Sequence, residues 1–198
     1  ALRDPLTGLP NRVLFADRTR RAIATAERND APVVVMLIDL DRFKDINDTL
    51  GHHYGDEVLR QMSGRLTELL DPRDTVARLG GDEFAVLLRS ARSATEGMAV
   101  AAAIRRALAQ PFDAEGVSLE LGGSIGVAVH PEDGDDVEAL MQRADVAMYQ
   151  AKEGATGVER YSVQQDDSSL ARLALAADLR RALERSEFVP FFQPKIDL

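Results

Sequence analysis

Cysteine is absent from all 198 residues, which excludes a disulfide framework, a thiolate zinc site and a cysteine nucleophile. Positive charge is scarce: Lys plus Arg number 24 against 33 Asp plus Glu, a formal net charge of −9. Nucleic acid is bound mainly through cationic surface, so this balance argues against a nucleic-acid partner. A compact anion such as a nucleotide stays open, provided a metal cation bridges it to the acidic chain. Long apolar runs are missing as well. The longest, APVVVMLI at residues 31–38, is far short of the roughly 20 residues that span a bilayer. No signal peptide and no fixed repeat are visible. The chain therefore reads as a cytoplasmic domain, with membrane anchoring of the full-length protein left open. It begins at ALRDPLTG without a Met, as expected of a piece of a longer protein.

What is present suffices for a core. Apolar residues make up 45% and charged residues 29%, values that rule against disorder or a fibrous repeat. At roughly 150 residues per domain, the length allows one domain and part of another. Residues 1–9 read as a loop, and Pro10 suits the first turn of a helix running to about Asn29. VVVMLIDL at 33–40 does not alternate with polar residues, which predicts a central strand buried on both faces. Residues 41–50 read as a short helix or turn. Val58, Leu59, Met62, Leu66, Leu69 and Leu70 form one helical stripe over 54–70. TVARL and FAVLL flank GGDE as a hairpin with a glycine-rich tip. Helices are predicted over 95–109 and 137–152, with a hairpin-like stretch at 117–129 between them. The expected order is α–β–α–α–β–β–α–β–β–α, a mixed sheet covered by one helical layer. QQDDSS at 164–169 reads as a linker. Beyond it, Leu175, Leu179 and Leu183 mark a helix, and FVPFFQPKIDL begins like a strand. The expected domains are 1–163 and the fragment 164–198.

Three acidic clusters stand out. Asp39 and Asp41 end the buried strand, Asp82 and Glu83 sit at the hairpin tip, and Asp48 and Asp56 flank Asn47, Gly51 and Gly55. Carboxylates converging from a strand end and a hairpin tip repel one another unless a divalent cation lies between them. Oxygen-only ligands favour Mg²⁺ or Mn²⁺, whose shell is completed by water and phosphate. Gly80 and Gly81 would let the backbone approach a ligand and offer N–H groups to phosphate. On the residues alone, the favoured reading of the same glycines is a plain tight turn with two solvated acids.

RLGGDEFAVLL at 78–88 resembles the signature of GGDEF diguanylate cyclases. DPLTGLPNR at 4–12, LIDLDRFKDINDTLGHHYGDEVL at 37–59, SIGVAV at 124–129 and ADVAMYQAK at 144–152 are similar to that family's other blocks, in family order. The tail, LRRALERSEFVPFFQPKIDL, resembles the opening of an EAL phosphodiesterase domain. The resemblance implies an α/β fold with a mixed central sheet wrapped by helices, like the polymerase palm and nucleotidyl cyclases. It implies condensation of two GTP into cyclic di-GMP and two pyrophosphates, across two copies of the domain that each bring one half-site. Asp39 and Asp82, with the main-chain carbonyl of Leu40 and with Glu83 beside them, would bind two Mg²⁺ or Mn²⁺ ions. Asp82 is also the candidate for activating the 3′-hydroxyl, with Glu83 secondary. Asn47 and Asp56 would read the guanine edge, with His52 close to the nucleoside. Phe43 through its backbone N–H, Lys44 as a transition-state cation, Gly81, and Lys152 at the terminal phosphates would meet the phosphate chain. Asp41 would be a structural acceptor, as is more common in the family, or a third ligand.

Two departures bear on function. Thr156 in KEGATG stands where the family places a phosphate-binding Arg. Asp71 in DPRD stands where the family's product-inhibition site has an Arg, with Arg73 displaced by two. The rival reading is a non-catalytic GTP-binding module that regulates its own downstream EAL-like domain. Other residues are given no role. His52 and His53 diverge, His130 reads as a loop residue, and Arg20–Arg21 and Arg105–Arg106 read as solvated helix faces.

Overall fold

β1 (Val33–Leu40) carries the fold. Its side chains alternate between two apolar layers, so that every second residue serves a different core. Val34, Met36, Ile38 and Leu40 face one cluster with Val58, Met62, Leu66, Ile104 and Leu108. Val33, Val35 and Leu37 face another with Phe15, Ile23, Leu140, Ala144 and Met148. This two-sided demand explains the unbroken apolar run. The computed structural model describes residues 2–29 and 31–163, and all that follows concerns these residues. The expectations for 164–198 lie outside them.

The remaining elements are α1 (Arg12–Asn29), α2 (Phe43–Leu50), α3 (His52–Leu69), β2 (Thr75–Gly80), β3 (Glu83–Leu88), α4 (Ala94–Leu108), β4 (Phe112–Ala114), β5 (Val117–Leu119), β6 (Gly123–His130), α5 (Val137–Glu153) and β7 (Val158–Arg160). Five strands form a sheet in the order β2-β3-β1-β6-β7, and β4 pairs with β5 in a separate ribbon. β1 is antiparallel to both neighbours, while β7 runs parallel to β6. The sheet is thus mixed, with α3 and α4 contributing to the core on one face and α1 and α5 on the other. The expected single helical layer is therefore two.

Local chemistry sets the boundaries. Helix α1 starts after Pro10, because the Pro10 carbonyl accepts from Arg78 N on β2 and Asn11 Oδ1 accepts from Leu14 N. Ser93 caps α4 and Asp136 caps α5, each accepting from the backbone N–H three residues on. Helix α3 begins at His52, two residues before the stripe suggested. The predicted hairpin at 117–129 does not exist as such. The hairpin lies at 112–119, turned by Glu115 and Gly116 at positive φ with Asp113 Oδ1 accepting from Gly116 N. Strand β6 then leaves the ribbon to pair with β1. Strand β7 had no periodic signal over its three residues. His130 is a strand residue, not a loop residue. It is buried, and its Nδ1 lies 3.0 Å from the Gly134 carbonyl oxygen.

Candidate active site

The C-terminal end of β1 is where the acids gather. In the register, Asp39 stands opposite Glu83 of β3 and Ser124 of β6, and Leu40 stands opposite Gly123. Lys152, in the last turn of α5, reaches across to Asp39 with Nζ 2.5 Å from Oδ1. Asp82 joins them from the β2–β3 tip. Burial raises its carboxyl above the usual aspartate range, and the charge of Asp39 pushes the same way, against the opposing pull of Lys152 and Arg78. Lys152 is held above its ordinary value, chiefly by its hydrogen bond to Asp39, with Asp41 and Asp82 adding to it. One cation thus serves several carboxylates. Asp41 turns aside, its Oδ1 accepting from Ser124 Oγ at 2.9 Å.

The tip that carries Asp82 is braced. Gly80 and Gly81 have φ of 146° and 54°, conformations that glycine alone adopts without strain. Arg78 donates to the Gly81 carbonyl from Nε at 3.0 Å and Nη2 at 2.8 Å, and from Nη1 to both oxygens of Asp4. Asp4 in turn accepts from the backbone and hydroxyl of Thr7. Burial would raise Asp4, but the bonds from Thr7 and Arg78 outweigh it and hold the carboxyl below its usual range. Arg78 and Asp4 were not among the expected site residues. A local trace is the Asp-x-x-Thr spacing, in which the Thr7 N–H three residues on donates to the Asp4 carboxylate.

Glu83 departs from the cluster. Although it faces Asp39, its carboxylate pairs with Arg12 Nη2 at 3.5 Å, where both side chains are about half exposed. Arg12 and Glu83 open onto a cavity of about 330 Å³ with Asp145 on its wall. Burial raises the Asp145 carboxyl, the nearby Arg12 works against that rise, and Asp39 adds to it.

After Asp41, Arg42 takes a left-handed φ of 58° and starts α2 at Phe43. The first-turn N–H groups of Phe43 and Lys44 therefore have no helical partner, the arrangement that suits anions. Lys44 is exposed, and the Phe43 side chain is buried under Gly55. Asn47 packs on Gly55 so closely that a Cβ there would strike its Oδ1. Gly51, at φ 98°, makes the elbow between α2 and α3. Asn47 and Asp56 are half buried at this elbow, while His52 and Asp48 are exposed.

The sequence profile described as "Diguanylate cyclase, GGDEF domain" matches residues 1–157. The chain belongs to the GGDEF family. MucR of Pseudomonas aeruginosa, a bifunctional diguanylate cyclase/cyclic di-GMP phosphodiesterase, is 41% identical over 99% of this chain. PdeR of Escherichia coli, a cyclic di-GMP phosphodiesterase, is 40% identical over 98%. The chain spans only 29% of each of these relatives. The isolated GGDEF domain of TpbB from Pseudomonas aeruginosa superposes with a TM-score of 0.82 at 39% identity, covering 85% of this chain and 99% of that one. This fixes the fold class as that of nucleotidyl cyclases.

Elsewhere in this GGDEF domain, His53 Nε2 lies 3.6 Å from Glu115 and its ring contacts Tyr54, so His53 is committed away from any pair with His52. Arg73 is occupied by Asp71 through two bonds of 2.9 and 3.2 Å, and Asp74 accepts from Arg89 N, Ser90 N and Ser90 Oγ. Arg20, Arg21 and Arg106 are exposed helix residues as expected. Arg105 is exposed too, as expected, and its guanidinium also lies on Gly157 and lines a pocket. Among the described residues, no three His, Cys, Asp or Glu side chains are grouped to hold a metal. The donors on offer are two carboxylates and a main-chain carbonyl. These are hard oxygens with surplus negative charge, shared by one lysine, and they fit a divalent ion that brings its own water and phosphate ligands.

Proposed function

We propose that this domain condenses two GTP into cyclic di-GMP and two pyrophosphates, with two copies each presenting one nucleotide. The observation that carries the reading is the convergence of Asp39, Asp82 and Lys152 beside the unpaired amides that begin α2. Phosphoryl transfer asks for positioning and charge neutralisation more than for covalent chemistry. Mg²⁺ or Mn²⁺, held by Asp39, the Leu40 carbonyl and Asp82 with Glu83 adjoining, would supply that neutralisation at the attacking and leaving oxygens. The 3′-oxygen of one GTP loses its proton toward Asp82 and bonds to the α-phosphorus of the other, and the bond to pyrophosphate breaks. Two such transfers close the ring. The α2 amides at Phe43 and Lys44, Gly81, and Lys152 once released from Asp39 grip the phosphates. Asp56 accepts from the guanine N1–H and N2–H₂ donors, Asn47 assists, and His52 lies nearby. A site built on such acceptors discriminates against bases that lack the donors.

A second reading is a GTP-binding regulator of an attached EAL-like domain. Thr156 supports it, as does the alignment of PdeR and MucR along almost the whole chain. Incubation with GTP and Mg²⁺ at high protein concentration, followed by nucleotide chromatography, separates the two. Cyclic di-GMP and pyrophosphate in a 1:2 ratio are expected. GTP bound but unconverted would establish the regulator.

A further inference from the structure

The segment after Lys152 reads Glu153-Gly154-Ala155-Thr156-Gly157 and supplies no cation of its own. The structure nevertheless places one there. Arg105, from the last turn of α4, lays its guanidinium against the backbone of Gly157, where a Cβ would collide with Nε and Cζ. Gly157 sits at φ 77° and its carbonyl accepts from Ile125 N at 3.0 Å, so the platform is anchored to β6. Arg105 and Lys152 line one pocket of about 280 Å³ together with Asp41, Gly123, Ser124 and Ala155. That volume is at the lower limit for organic ligands, which suits a small anion better than a whole nucleotide. Asp41 is the sole acid on its wall and is engaged by Ser124. Among the described residues no carboxylate forms an ion pair with Arg105, on a chain with a surplus of acids.

We propose that Arg105 is a further phosphate-binding cation of this site, holding with Lys152 the terminal phosphates of the bound nucleotide. A planar guanidinium can grip two phosphate oxygens at once. The side chain is brought to the pocket from a different helix, across the space that the missing Gly157 side chain leaves free. The inference rests on the nucleotide reading of the site and not on turnover.

The test is isothermal titration of the full chain with Mg²⁺ and either α,β-methylene-GTP or GMP. It compares wild type, Arg105→Ala, Arg105→Lys and Arg106→Ala. Arg105→Ala should weaken the triphosphate analogue about tenfold or more and leave GMP within about twofold. Lysine should restore part of the loss, and Arg106→Ala, one residue away and outside the pocket, should change nothing. Thermal melts check folding, with Arg105→Gln as a substitute if the alanine variant is unstable. Equal losses for both nucleotides, an equal loss in Arg106→Ala, or no loss at all would overturn the inference. So would a wild type that gains no affinity from the two extra phosphates. A wild type that makes no cyclic dinucleotide but shows the expected pattern would sink the cyclase reading and leave Arg105 in its role.

Discussion

Asp82 owes its position to two glycines in positive φ and its raised carboxyl to burial beside Asp39. It packs little into the core, so Asp82→Ala should fold normally while turnover falls by about 10²–10³, the size expected for lost charge stabilisation of the transition state. Melting curves and initial rates on the same preparation decide it. Retention of half the wild-type rate would remove Asp82 from the reaction. At this scale, the acids were legible because a strand end and a hairpin tip announce themselves locally. The arginines were not. Arg12 meets Glu83, Arg78 meets Asp4 and Arg105 meets Gly157 across 71, 74 and 52 positions of sequence respectively (83 − 12, 78 − 4, 157 − 105). No periodicity encodes such meetings, since each depends on two elements packing first. His130 is a different case: its partner, the Gly134 carbonyl, is only four residues away, and the turn after β6 brings the two together.

Among the elements, the N-terminal turn behaves as a clamp on the β2–β3 hairpin. Asp4 and Arg78 are 16% and 12% exposed, so their pairing is little screened by water. Replacing Asp4 by Asn removes the charge and should cost about 2–3 kcal/mol at pH 7, toward the lower end for breaking a buried pair. The Asp4 carboxyl is depressed in the folded chain relative to an ordinary value of 3.8. Its contribution is therefore complete above that value and disappears as the pH falls through the lower, folded one. Urea midpoints for wild type and Asp4→Asn should converge below about pH 3.8. A gap that persists unchanged at low pH would show that shape, not charge, makes the contact. A second element-scale expectation concerns β6 and α5. At Gly126, a Cβ would run into the backbone of Ala144 and Met148. Gly126→Ala should lose about 3 kcal/mol in the same assay, because a helix backbone cannot yield as a side chain can. Equal stability would mean that the helix rides free of the sheet. The sequence marked β1, α3 and α5 through strong patterns. It could not mark β7, which borrows its pairing from β6, nor the break inside 117–129, where one apolar run serves two different sheets.

At the scale of the whole molecule, one domain offers one set of converging acids, while the proposed product joins two nucleotides. Specific activity should therefore rise with protein concentration under dilute conditions. A flat profile across a hundredfold dilution would place both nucleotides in one copy.

The place of β1, third in the five-strand order with both faces covered, also governs how the site comes apart. Deuterium exchange reports local opening, and amides of a doubly covered central strand exchange only when the whole domain opens. Backbone amides of residues 34–38 should thus be the slowest to label, and those of the three-residue edge strand β7 among the fastest. Lys152 lies just before that edge and Asp39 ends that centre. Fluctuations short of unfolding would loosen the lysine side of the site first, while the carboxylate of β1 stays fixed as long as there is a folded protein to carry it.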